Sequence, residues 1–177
     1  MASPRRYAPS RRALHWLMFL GVVLAFVFIE GRVWFERGTP ARLAMVQAHF
    51  WVGITLLALM LPRLLLAFSR PAPAVLPPLP AWQALPAKAG HLLLYAMLLV
   101  QPLLGLGTAW TDGKDIFIPF TQVVLPALMA PDAALAGQLE DLHEWVGTAF
   151  YYVVGLHVAA ALYHHFIRRD DTLRRMA

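Results

Sequence analysis

Four apolar runs constrain this chain more than any other feature: Ala13 to Ile29, Leu43 to Leu61, Leu92 to Ala109 and Trp145 to Ile167. Each is near the roughly 17 to 25 residues that cross a hydrocarbon core. Backbone polar groups in lipid must be satisfied internally, so such runs become helices. In a chain of 177 residues, four spans leave little else. The sequence therefore predicts an all-α membrane protein, a single four-transmembrane-helix bundle over 1–177, with helices near 11–30, 43–66, 88–110 and 140–167. Composition agrees, at 59% hydrophobic and 14% charged, against roughly 45 to 50% and 25% in soluble domains.

The first run follows Arg5, Arg6, Arg11 and Arg12, as a secretory signal would. It is long for a signal and ends in Phe28-Ile29-Glu30-Gly31-Arg32 without a small-residue cleavage site, so it reads as the first membrane helix. Eleven of the fifteen Lys and Arg lie in the two tails and the second connection. The positive-inside rule then puts both termini in the cytoplasm, and the 30–44 and 110–142 connections outside. In a bacterial cell this is a multi-pass inner-membrane protein facing the periplasm. The net charge of +5 is explained by basic residues at membrane boundaries meeting anionic lipid, and no nucleic-acid partner is expected. There is no cysteine, which excludes disulfides, thiolate chemistry and iron–sulfur clusters.

The stretch Arg70-Pro71-Ala72-Pro73-Ala74-Val75-Leu76-Pro77-Pro78-Leu79-Pro80, with Pro86 beyond it, reads as a stiff cytoplasmic linker over 70–86 rather than a ligand for a proline-binding module. Pro102 predicts a kink in helix 3, and Gly105 and Gly107 after it admit a close helix neighbour or a flat cofactor. The 110–142 connection carries Phe117, Ile118, Phe120, Val123, Val124 and Leu125, so it should lie on the outer surface or cap the bundle. Asp132 after Pro131 is an N-cap candidate, which would start helix 4 ahead of the membrane.

Ionisable residues inside spans are rare and usually functional, and this chain has seven histidines. His49-Phe50-Trp51-Val52-Gly53 on helix 2 is echoed by His143-Glu144-Trp145-Val146-Gly147 on helix 4. His143 and His157 are 14 residues apart, which returns the side chain to within roughly 40° of the same face and separates the two by about 21 Å along the axis. They suit two stacked sites. Topology puts His49 at the depth of His143 and His15 at the depth of His157. Paired imidazoles on facing helices are the axial ligand set of six-coordinate b-type haem in a bundle core. The expectation is two haem b groups: His49 with His143 on the periplasmic side, His15 with His157 on the cytoplasmic side. Covalent attachment is excluded by the lack of CxxCH; zinc usually wants a third or fourth ligand and only Glu144 is available near either pair, so haem is the better-fitting cofactor. Gly53 and Gly147, each one turn after a ligand, would let a porphyrin face approach the helix.

With these residues in place the chain resembles the bacterial cytochrome b561 family. The likeness rests on Arg12-Ala13-Leu14-His15-Trp16-Leu17, His49 with Gly53, His91-Leu92-Leu93-Leu94-Tyr95 with Pro102 and Gly105, His143 through Gly155-Leu156-His157, and the ending Tyr163-His164-His165-Phe166 followed by Asp171-Thr172-Leu173-Arg174-Arg175-Met176. The resemblance implies a dihaem protein of the inner membrane that passes electrons to ubiquinone, with periplasmic superoxide as a candidate donor. At the quinone end, His164 continues the His157 stripe and would hydrogen-bond a quinone carbonyl or relay a proton. His165 and Trp16 are companions there, and His91 is read as a contact to haem propionate or quinone, or as an interhelical hydrogen bond.

Pairing His15 with His164 instead would put the two sites 21 residues apart on helix 4, about 31 Å, too far for good electron transfer. Two other functions remain open to the sequence. One is the cytochrome b subunit of a larger oxidoreductase, such as a hydrogenase or dehydrogenase, with a partner subunit as donor. The other is a haem-free scaffold or proton-handling transporter.

Overall fold

A computed structural model describes residues 6–69 and 72–177. Arg5, counted with the N-terminal cations, and Arg70-Pro71 of the linker lie outside the described residues. Four helices run α1 (Pro9–Gly31), α2 (Pro40–Ser69), α3 (Ala81–Thr111) and α4 (Ala133–Tyr163), with a 3₁₀ turn at Arg32–Trp34 and a π-helical turn at His164–Arg168. All four are long and apolar enough to cross a membrane. Their outward faces carry Leu65, Phe68, Leu92 and Leu156, all more than half exposed, as lipid-facing residues should be. The small interior is built from Met18, Val22, Leu56, Met60 and Phe150.

Helix boundaries differ from expectation at the starts of both α3 and α4; α3 begins at Ala81, so Pro86 lies inside it rather than in the linker. Pro80 is extended at the N-cap, and its carbonyl accepts from the Gln83 and Ala84 amides at 2.9 and 3.1 Å. Ala, Gln and Leu then favour helix, and Pro86 deletes a single bond near the solvated end. α4 starts at Ala133, seven residues ahead of 140, because Asp132 accepts from Ala134 N at 3.0 Å and Leu135 N at 3.1 Å.

Sequence neighbours pack side by side: α1 on α2, α2 on α3, and α3 on α4. Among the described residues, no Cα of α4 comes within 8 Å of one in α1 or α2. Those two gaps are spanned by side chains alone, including Phe26 against Tyr151 with ring centroids 3.9 Å apart.

Both ends of the bundle are tied. The 112–132 connection docks on α2, where Trp51 Nε1 donates to Phe117 O at 2.6 Å and Gln47 exchanges bonds with Asp115 O and Phe117 N at 2.8 and 2.9 Å. At the other end the C-terminal segment crosses the linker and the N-terminus. Asp171 N donates to Leu76 O at 3.2 Å and Leu76 N to Asp171 Oδ1 at 2.9 Å. Trp16 Nε1 donates to Met176 O at 2.9 Å, and Arg175 donates to Pro73 O.

Asp132→Ala should cost about 1 kcal/mol at the start of α4. Amide exchange over 133–138 should quicken about fivefold while that of 145–155 stays unchanged, which hydrogen-exchange mass spectrometry in detergent will resolve.

Candidate functional site

At the end remote from the termini, the His49 and His143 rings face each other with centroids 6.2 Å apart, nearly perpendicular at 85°. They bridge α2 and α4, one of the two gaps in the backbone packing. Each ring is oriented through Nδ1: His49 Nδ1 donates to Ala25 O at 2.8 Å and His143 Nδ1 to Gln101 O at 3.1 Å. A backbone carbonyl on one nitrogen fixes the tautomer and leaves the lone pair on the other; such a carbonyl is the usual second partner of a metal-bound histidine.

Gln101 holds His143 three times, because its side-chain Nε2 also donates to His143 O at 2.9 Å and, at 3.4 Å, to His143 Nε2. Nearby glycines divide into two roles. A Cβ on Gly147 would meet Gln101 Nε2 at 2.9 Å, and one on Gly105 would meet the His143 ring at 2.9 Å. A Cβ on Gly53 would meet nothing within 4 Å. Gly53 and Gly105 line, with both histidines, an apolar cleft between the helices. Gly147, expected to face a porphyrin, makes room for the Gln101 amide instead.

Nearer the termini, His15 and His157 rings stand 6.3 Å apart across the α1–α4 gap. His91 is closer still to His157, at 5.6 Å. It comes from α3, whose backbone packs directly on α4, so no gap separates that pair. Arg63 lies beneath this cluster, 5.8 Å over the Tyr95 ring and donating to Arg11 O at 3.1 Å.

The remaining predicted residues lie at the termini end. His164 Nδ1 is 2.6 Å from Asp170 Oδ2, a contact sequence reading missed. The Asp170 side chain is fully buried. Burial pushes its carboxyl up, but hydrogen bonds from His164 and Thr172 outweigh this and hold it below the ordinary carboxylate value. The Trp16 indole N–H is used by Met176, tethering the C-terminus. His165 has a buried Nδ1 without a hydrogen-bond partner and a ring 4.7 Å from Phe166.

The residues fit an iron held between two imidazoles. A point midway between rings 6.2 or 6.3 Å apart lies about 3.1 Å from each centroid, the sum of a metal–imidazole bond of about 2.0 to 2.1 Å and about 1.1 Å from nitrogen to ring centre. Both histidine pairs also fall where helix backbones stand apart, which leaves width for a flat macrocycle. Among the described residues no group of three or more His, Asp or Glu is placed to hold a metal ion.

A membrane-spanning four-helix bundle with facing imidazoles at two depths is the architecture of a membrane-bound b-type cytochrome. The profile of prokaryotic cytochrome b561 matches residues 6–177. Cytochrome b561 homolog 1 of Escherichia coli (strain K12) is 33% identical over 172 residues, 97% of this chain and 96% of the relative. The probable superoxide oxidase CybB of Yersinia pestis is 32% identical over 173 residues, 97% and 96% of the two chains. Cytochrome b561 homolog 2 of Escherichia coli (strain K12) is 32% identical over 183 residues, 98% and 92%. The chain belongs to the prokaryotic cytochrome b561 family, whose members are haem b electron-transfer proteins of the inner membrane.

Gly105→Ala drives a methyl into the His143 ring and should cost about 1 to 3 kcal/mol by overpacking. The thermal midpoint in detergent should fall, whereas Gly53→Ala, with no protein atom in reach, should leave it within about 1 °C of the parent in the same apo-protein scan.

Proposed function

We propose that this protein carries two haem b groups and moves electrons singly across the inner membrane to ubiquinone. What carries the proposal is the placement of two imidazole pairs at opposite depths, each across a gap between helix backbones. His49 and His143 hold the periplasmic-side group, and His15 and His157 the cytoplasmic-side group. When bound, haem b supplies a one-electron centre whose potential is tuned by its axial ligands and their hydrogen bonds.

The chain's own contribution is alignment. α4 supplies one ligand to each site from a single face, which sets the spacing of the two centres. Ala25 and Gln101 carbonyls orient the outer ligand rings. His91 is set aside as the partner of His157 because α3 and α4 pack backbone to backbone, with no width between them for a macrocycle. It serves instead as a neighbour of the inner site. His164 lies roughly 10 Å past His157 along the same helix, which suits a group that meets quinone beyond the inner centre. His165 and Trp16 border that place.

Both termini face the cytoplasm in this reading, because Lys and Arg concentrate at that end. The donor then acts from the periplasm. Superoxide is the candidate, supported by the relative named a probable superoxide oxidase. Long-range attraction of an anion contributes little. Lys114 is paired with Asp112 at 2.6 Å, and Arg32 and Arg42 are turned onto backbone carbonyls. Reduction of the purified chain by superoxide without a partner subunit supports this donor; reduction that needs a partner subunit makes the chain one subunit of a larger oxidoreductase.

His157→Ala should lose one of two haems and His164→Ala should keep both, counted as haem per chain on purified protein. Loss of a haem in His164→Ala with two retained in His157→Ala would reassign the inner ligand.

A further inference from the structure

The chain makes an abrupt reversal just beyond α4. The π-turn His164–Arg168 ends on Arg169, a non-glycine residue with φ 57° and ψ 33°. Left-handed conformation at such a residue is unfavourable and persists where surrounding contacts impose it. Its consequence is to bring Asp170 back beneath the turn it has just left, where Asp170 N donates to His164 O at 3.1 Å. The carboxylate arrives buried and fully engaged. Oδ2 accepts from His164 Nδ1 at 2.6 Å and Arg168 Nε at 3.2 Å, and Oδ1 accepts from Thr172 N at 2.9 Å. Arg168 is itself anchored to Gln83 of α3.

Such a carboxylate is costly to bury, and a purely structural turn needs no charge. Its chemical effect falls on one ring. With the Nδ1 proton committed to Asp170, the His164 ring presents Nε2 as its exchangeable atom. Nε2 hydrogen-bonds to nothing among the described residues, and the His164 side chain is 15% exposed, so the ring edge is reachable. Arg168 keeps the carboxylate an acceptor rather than a competing proton donor.

We propose that Asp170 is a positioning residue for proton exchange with bound quinone: its carboxylate fixes the His164 ring so that Nε2 gives a proton to, or takes one from, a quinone oxygen. This rests on the quinone reading above. Quinone reduction takes two electrons and two protons, turning two C=O groups into C–OH. The electrons arrive one at a time from the reduced protein; His164 Nε2 delivers protons and is recharged from the aqueous side at the termini end. Run backward, quinol loses two electrons to the protein and releases its protons, one to His164 Nε2 at a time.

The backward direction gives a test independent of superoxide. Haem reduction by ubiquinol-1 is followed by stopped-flow absorbance in purified holoprotein. Asp170→Asn should keep haem content and the ubiquinol concentration at half-maximal rate within about threefold, while the maximal rate falls about 100-fold, the scale of a misdirected acid–base group. Asp170→Glu should recover at least about a tenth of the parent rate. In a His164→Gln background, Asp170→Asn should add no further loss.

A maximal rate for Asp170→Asn within about threefold of the parent overturns the inference. Additive losses in the double variant overturn it as well. If Asp170→Asn does not retain haem, His164→Gln alone decides: a 100-fold fall in maximal rate at unchanged half-saturation supports the proposal, and a parent-like rate overturns it. A parent protein that ubiquinol does not reduce at all removes the quinone reading itself, and this inference with it.

Discussion

Imidazole rings that face each other across gaps between helix backbones are the interaction on which the rest of this bundle depends. An unpaired histidine inside a membrane is expensive, and packing four helices tightly would close the gaps. Here α4 stands away from both α1 and α2 and is fastened through α3. That arrangement makes α3 the structural spine. Its Gly107 admits Leu139, its Gly105 admits the His143 ring, and its Gln101 ties the His143 backbone and ring together.

The two ends of the bundle are built for different tasks. At the end remote from the termini, a folded connection is pinned to α2 through Gln47 and Trp51, two residues on either side of His49. This couples the helix that carries His49 to the folded 112–132 connection. At the termini end, the C-terminal segment gathers the linker and α1 under the inner histidines and ends in a buried ion-pair cluster. In the function proposed above, electron entry and proton-coupled exit would use these separate surfaces, joined by the stripe of α4.

Much of this was legible in the sequence because it follows from periodicity and solvent. Four apolar runs become four helices, and Asp132 caps α4 as its side chain requires. The facing of His49 with His143 and of His15 with His157 follows from depth and the 14-residue stripe. Other features depend on tertiary contact and leave no local signal. Pro86 looks like linker, yet the helical preference of its neighbours carries α3 through it. Trp51 and Trp145 look equivalent in the repeated motif, but Trp51 binds the outer connection while Trp145 is 70% exposed. Gly53 and Gly147 look equivalent too, and only Gly53 opens on the cleft. Asp170 could not be matched to His164, because the reversal at Arg169 joins them and no sequence pattern predicts a left-handed arginine.

The most direct measurement is haem stoichiometry and coordination on the purified, haem-supplied chain, by pyridine haemochrome analysis with electron paramagnetic resonance of the oxidised protein. Two haem b per chain are expected, both six-coordinate and low-spin as paired imidazoles require. One haem, none, or a high-spin centre would contradict this.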